Sequence, residues 1–142
     1  MIRLPLRRLL WVAAVFALLL TTALAIEEVI PPRPKNWFND EAGVVAPEVA
    51  ARLNRELKEY EQATSNQIVV AIYPKMLSPS SIEDYTVRVA EKWGVGQKGR
   101  DNGAVLFVFI QDRKVYIQVG YGLEGVLTDY LCHQIIQNEI IP

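Results

Sequence analysis

Two apolar runs, Ala104–Ile110 and the alternating Val115, Ile117 and Val119, are joined by the short link Gln111-Asp112-Arg113-Lys114. A parallel crossover takes a dozen residues or more, so a link this short forces the two runs into an antiparallel hairpin. The rest of the chain has to be arranged around that hairpin. The surrounding run from Trp93 to Asp129 carries Gly94, Gly96, Gly99, Gly103, Gly120, Gly122 and Gly125, and it places Asp101, Asp112, Glu124 and Asp129 at loops or element ends. A core has no need of acids at its turns, which makes these four the candidate binding residues.

Upstream, Pro47 followed by Val49, Leu53, Leu57 and Tyr60 marks an amphipathic helix to about Ala63, with Glu56, Lys58, Glu59 and Glu61 as its solvated face. Gln67 to Tyr73 reads as a strand buried on both faces, closed by Pro74 and Pro79. A second helix is expected to open at Ser80, with Glu83 completing a capping box, and to carry Ile82, Tyr85, Val89 and Trp93 on one stripe until Gly94 ends it. Thr128 caps a third helix beginning near Asp129 and carrying Leu131, Ile135, Ile136 and Ile140. The order helix, strand, helix, strand, strand, helix predicts an α/β fold, a mixed sheet with helices on both faces. Before it, Ile30 to Lys35 with Pro31, Pro32 and Pro34 is an extended lead-in, after which Trp37 and Phe38 anchor the chain to the core.

The N-terminus has a separate logic. Arg3, Arg7 and Arg8 precede an apolar stretch, Leu9 to Leu20, and Ala23-Leu24-Ala25 forms a small-residue cleavage pattern. Residues 1–25 therefore read as a secretory signal peptide, the alternative being an uncleaved membrane anchor. Either way the body of the chain is expected outside the cytoplasm: periplasmic, extracellular or tethered to a membrane and facing outward. Cleavage takes three arginines away and leaves the body more negative than the formal −1 of the whole chain. An acidic body of this length is one domain, and it argues against nucleic acid as a partner. With Cys132 and His133 the sole residues of their types, no internal disulfide exists and a zinc site of nitrogen and sulfur ligands cannot be assembled. As helical neighbours they point about 100° apart, so a packed Cys132 and a surface His133 are expected rather than a catalytic pair.

Two glycine patterns invite a nucleotide reading. Gly94-Val95-Gly96-Gln97-Lys98-Gly99 follows a helix and precedes a strand, the reverse of what a pyrophosphate site needs. Gly120-Tyr121-Gly122-Leu123-Glu124-Gly125 follows the return arm of a hairpin and puts Glu124 inside the loop meant for phosphates. No nucleotide cofactor is expected. Glycine-rich loops instead allow backbone and neighbouring carboxylates to approach one point, which suits a hard cation, Ca2+ or Mg2+. The loop at Asp101 enters the central strand at the end where Gly120 to Asp129 leaves its partner, so Asp101, Glu124 and Asp129 are the leading metal ligands. Asp112 lies at the opposite, turn end.

Phe38-Asn39-Asp40-Glu41-Ala42-Gly43-Val44, Trp93-Gly94-Val95-Gly96-Gln97-Lys98-Gly99 with Asp101-Asn102-Gly103, Asp112-Arg113-Lys114 and Val119-Gly120-Tyr121-Gly122-Leu123-Glu124-Gly125 resemble the TPM domain, in order, from Trp37 to Pro142. The resemblance implies a three-layer α/β/α sandwich, exported, with relatives associated with photosystem II repair and with accessory work at acetylcholine receptors. It implies a cation site at loop carboxylates, with Asp40 and Asp112 as further matches. Some relatives are described as acid phosphatases, for which Asp101 and Asp129 are the catalytic candidates. Two departures stand out. Cys132-His133 replaces the usual small residues, and family members continue past the position of Pro142 through more helix, many bacterial ones reaching a membrane segment. A truncated domain is therefore expected, one whose missing segment could supply an anchor. The expected function is a cation-binding interaction or accessory module of the cell envelope, its partner an envelope or membrane protein. The alternative is a metal-assisted phosphatase acting on phosphate monoesters.

Overall fold

The computed structural model describes residues 27–141; the expected signal peptide lies outside the described residues. Four strands, β1 (Phe38–Asp40), β2 (Gln67–Tyr73), β3 (Gly103–Phe109) and β4 (Lys114–Val119), form one sheet in the order β1-β2-β3-β4. The first two pairings are parallel and the β3–β4 hairpin is antiparallel, with Ala104 opposite Val119 and Phe109 opposite Lys114. The helices are α1 (Pro47–Thr64), α2 (Ile82–Trp93) and α3 (Asp129–Ile135), the last running into a π turn at Ile136–Ile140. Among the described residues no helix is long and apolar enough to cross a membrane.

Register assigns the two faces of the sheet, because directly paired residues point the same way. Val69, Ala71, Val105, Phe107 and Phe109 share one face, where Tyr85, Val89 and Trp93 of α2 cover them. Aromatic rings dominate this core: Trp93 lies 5.5 Å from Phe107, and Phe109 lies 6.2 Å from Phe107 and 6.0 Å from Tyr85, centroid to centroid. At these separations the rings add specific edge and stacking attraction to the burial of apolar area. On the other face α1 packs against β1 and β2, where Val70 and Ile72 are buried, while Leu106, Val108, Val115 and Ile117 further along the sheet are half-buried.

The hairpin, the doubly buried β2 and the end of α2 at Gly94 follow the sequence pattern. Gly94 adopts a left-handed conformation with φ +59° and its N–H returns to the carbonyls of Ala90 and Glu91. Three details differ. The cap of α2 is Ser81, whose hydroxyl accepts from the Asp84 N–H at 3.2 Å, while the Ser80 hydroxyl accepts instead from Arg88. The half-buried stripe of α1 is Ala50, Leu53, Asn54, Leu57 and Glu61, leaving Val49 and Tyr60 at an exposed margin. Asn54 and Glu61 belong there because they serve the preceding segment: Asn54 accepts from the N–H groups of Trp37 and Phe38, and Glu61 accepts from the Trp37 indole. Third, Phe38–Asp40 is a strand, too short for its alternation to register in sequence.

The lead-in is a strap rather than a tether. Its carbonyls are free acceptors, three of its positions being prolines, and α2 supplies the donors: the Tyr85 hydroxyl binds the Val29 carbonyl at 2.7 Å and the Trp93 indole binds that of Pro31 at 2.9 Å. The Val29 N–H closes on the Leu77 carbonyl at 3.0 Å. Glu28 clamps the end, accepting from Arg88 Nε at 2.8 Å and from the Ser78 hydroxyl at 2.7 Å. The Arg88 hydrogen bond above all, then that from Ser78, holds the Glu28 carboxyl down at about 2 against an ordinary 4.5. A lowered folded-state value means the clamp stabilises fully above pH 4.5 and fades as pH falls toward 2. Melting temperatures read across that window should decline less steeply for Glu28→Gln than for the wild type. Parallel curves would assign the acid sensitivity to other carboxylates.

Candidate functional site

Two glycine-bearing loops meet at the end of the sheet where β3 begins and β4 ends. The first, Val95 to Asn102, is organised by Asn102, one of the few buried polar residues at 7 % exposure. Its side-chain oxygen accepts from the Gln97 N–H at 2.8 Å, and its amide donates to the Ser65 carbonyl at 2.7 Å and to Asn66 Oδ1 at 3.2 Å. Gln67 Oε1 takes the Gly96 N–H at 2.8 Å. The second loop, Gly120 to Gly125, is laid on the first: Gly120 N–H donates to the Gly103 carbonyl at 2.8 Å and Gly122 N–H to the Asp101 carbonyl at 2.9 Å. Absence of a side chain is what lets the two backbones touch. A Cβ on Gly120 would stand 2.3 Å from the Asp101 oxygen, and one on Gly122 2.0 Å from the Arg100 oxygen.

The docked loops and α2 enclose a cleft of about 500 Å³. Val87, Ala90, Val95 and Val105 give it an apolar floor, and Glu91, Asp101 and Glu124 are its charged residues; among the described residues no Lys or Arg lines it. Asp101 is held at φ +49°, a left-handed conformation uncommon outside glycine. Tyr121, 82 % exposed, stands at the mouth.

Of the acids expected from the sequence, the fold brings Asp101 and Glu124 to this cleft and places the others elsewhere. Asp129 opens α3 and lies near Tyr116 and Cys132, helping, after burial, to push both their ionisations up. The Cys132 thiol is thus buried and kept protonated, and His133 is exposed, consistent with a packing role for the cysteine. Asp112 caps the far end of the sheet by accepting from the Met76 N–H at 2.6 Å. Asp40 closes a turn after β1, accepting from Ala42, Gly43 and Val45 N–H groups at 3.1, 2.8 and 2.7 Å. Glu91 escaped the sequence reading because an acid on a helix looks like solvated surface. The usable signal is its position in the last turn of α2, where the helix dipole disfavours negative charge, on the stripe Val87, Ala90, Glu91, Gly94 next to the core stripe.

Among the described residues no group of three or more His, Cys, Asp or Glu side chains converges to hold a metal ion. A divalent ion in the cleft would lean on one or two carboxylates, backbone oxygens and its own waters, which suits Mg2+ or a weakly held Ca2+ better than a closed cage.

The comparisons with known proteins agree with this architecture. The solution NMR structure of the N-terminal domain of a protein from P. gingivalis superposes with a TM-score of 0.68 at 32% sequence identity, over 75% of this chain and 68% of that one. No curated protein matches the chain. Residues 38–142, from the first residue of β1 onward, match the family model of the TPM domain, also labelled TPM phosphatase. By fold, by loop motif and by that match, the chain belongs to the TPM domain family.

Proposed function

We propose that the protein is an exported interaction module of the cell envelope whose recognition surface is the cleft at the glycine-rich loops, with a hydrated Ca2+ or Mg2+ drawn to one or two of its carboxylates, Glu124 foremost. The observation that carries this reading is the cleft's charge: among the described residues its charged lining is Glu91, Asp101 and Glu124 with no basic residue to balance them, so positive charge is the chemistry it accepts. Export is supported by the basic start, apolar run and Ala23-Leu24-Ala25 of residues 1–25. An envelope or membrane protein is the natural partner for a domain so addressed. Phosphatase chemistry, the other activity attached to the family name, has less support: a phosphoryl group needs cationic donors on its equatorial oxygens, and Asp129 does not line the cleft with Asp101.

The test is a thermal melt of the purified chain in EDTA, CaCl2 and MgCl2. A cation at about 100 times its Kd adds about 2.7 kcal/mol to a folded state that alone binds it. The melting temperature should rise with cation, the rise should vanish in Glu124→Ala, and Asp129→Ala should keep it. A folded sample indifferent to both cations would sink the cation site.

A further inference from the structure

We infer that the occupant of this cleft is an extended basic peptide segment of a partner protein, Lys or Arg alternating with apolar residues. This deepens the interaction-module reading and rests on the cleft being its recognition surface. Size comes first. A cation and its water shell would leave most of about 500 Å³ unfilled, since a water occupies roughly 30 Å³, whereas this volume falls in the range of sites that take organic groups. The lining points the same way. Val87, Ala90, Val95 and Val105 offer an apolar surface to the methylene stem of a lysine or arginine, whose charged head then reaches the acidic rim.

The carboxylates are available for that role. Neither Glu91, Asp101 nor Glu124 enters an ion pair among the described residues, where the ion pairs are Arg52–Glu56 and Arg88–Glu28. They do not gather into a group that could hold a metal ion, which leaves them to separate cationic groups along a chain. Glu91 sits at the negative end of the α2 dipole, so helix and side chain attract a cation together. The exposed ring of Tyr121 at the mouth adds a face for cation–π contact. An extended peptide is favoured over a small polyamine by the neighbouring strand: β4, which contributes Gln118 and Val119 to the cleft, is the sheet's edge among the described residues, and none of them pairs with its outer row of backbone donors and acceptors.

The experiment uses the purified chain in EDTA and a fluorescein-labelled peptide, acetylated and amidated, of sequence Val-Lys-Val-Arg-Val. Fluorescence anisotropy should show saturable binding that weakens with added salt. Glu91→Gln combined with Glu124→Gln should raise Kd about tenfold, since each removes one exposed charge contact, with the melting temperature unchanged because both side chains are exposed. Glu139→Gln, at the far end of the chain, should leave Kd as it was. Equal binding by the double variant, equal binding by a peptide with Gln in place of Lys and Arg, or displacement by spermidine at the peptide's own concentration would each overturn the inference. Stabilisation by Ca2+ or Mg2+ without peptide binding would also overturn it while sparing the cation site. Peptide binding in EDTA with no cation effect on melting would sustain it and remove the cation.

Discussion

Gly122→Ala should be the most damaging single-methyl change in the molecule. The new Cβ would sit 2.0 Å from the Arg100 carbonyl oxygen and 3.1 Å from the carbonyl carbons of Arg100 and Asp101, all of them backbone atoms. A flexible side chain could swing away from such a clash; a main chain cannot do so alone. The Gly122 N–H is bonded to the Asp101 carbonyl at 2.9 Å and the Gly120 N–H to the Gly103 carbonyl at 2.8 Å, so relief requires the two loops to part and those bonds to break. Overpacking costs about 1–3 kcal/mol and each lost hydrogen bond about 1 kcal/mol, which together predict a loss of about 3 kcal/mol. In a domain of this size that is a fall of roughly 10–20 °C in Tm. Gly125→Ala is the matched control, because its Cβ would meet nothing within 4 Å, and it should melt near the wild type. Equal melting temperatures for the two variants would mean that the loops are not docked as described.

That result would also revise the reason for the glycine density. The sequence invites the view that glycines turn carbonyls and carboxylates inward onto an ion; the structure uses Gly96, Gly103, Gly120 and Gly122 to let backbone lie against backbone. Either use leaves the same letters in the sequence, and contact distances alone separate them. Asp101 and Glu124 were legible as neighbours because the hairpin link dictates that β3 begins where β4 ends. Asp129 was not, since the direction in which the chain leaves Gly125 is set by tertiary packing and not by its motif. Asp112, expected as a ligand from its place at a turn, and Asp40, expected from the family resemblance, both bind backbone N–H groups: Asp40 closes a local Asx-type turn, and Asp112 takes the Met76 N–H across the end of the sheet.

The fold was more legible than the site, for a related reason. Hydrophobic period locates β2, β3, β4 and α2 because each buries a face large enough to repeat its pattern. β1 has three residues and its partner lies some thirty positions away, so neither alternation nor a turn announces it. The strap is invisible to periodicity as well. Its trace lies in the polar tips of Tyr85 and Trp93, which sit on a core stripe and must find acceptors once buried; the proline-rich lead-in is the segment that offers them.

Asn102→Ala should produce the second large loss, and it should loosen the site before it unfolds the domain. Asn102 is buried, and its side chain joins three segments: the loop through Gln97, the end of α1 through Ser65, and the approach to β2 through Asn66. Truncation removes bonds of 2.8, 2.7 and 3.2 Å and leaves the Gln97 N–H and the Ser65 carbonyl seeking new partners. Both groups are only part-buried, so the lower part of the range of about 1–3 kcal/mol for each unpaired group applies, and the expected cost is about 2–4 kcal/mol, measurable as a lower urea midpoint with an unchanged slope. Asn102→Asp keeps the acceptor for Gln97 but turns a carboxylate toward the Ser65 carbonyl, so it should fare no better. The backbone bond from the Gln67 N–H to the Asn102 carbonyl, 3.0 Å, survives either change. The β2–β3 core should therefore stay protected while the loop opens. Amide exchange is the discriminating measurement: the N–H groups of Gly96 and Gln97 should speed up most in Asn102→Ala, while those of Val105 and Phe107 should speed up only by as much as the drop in global stability allows. Acceleration spread evenly over loop and core would show that Asn102 stabilises the whole domain and not the loop. Because Asp101 immediately precedes Asn102 and is held at φ +49° beside this clamp, releasing the clamp should also let Asp101 leave its strained backbone conformation, and with it one of the three carboxylates of the cleft.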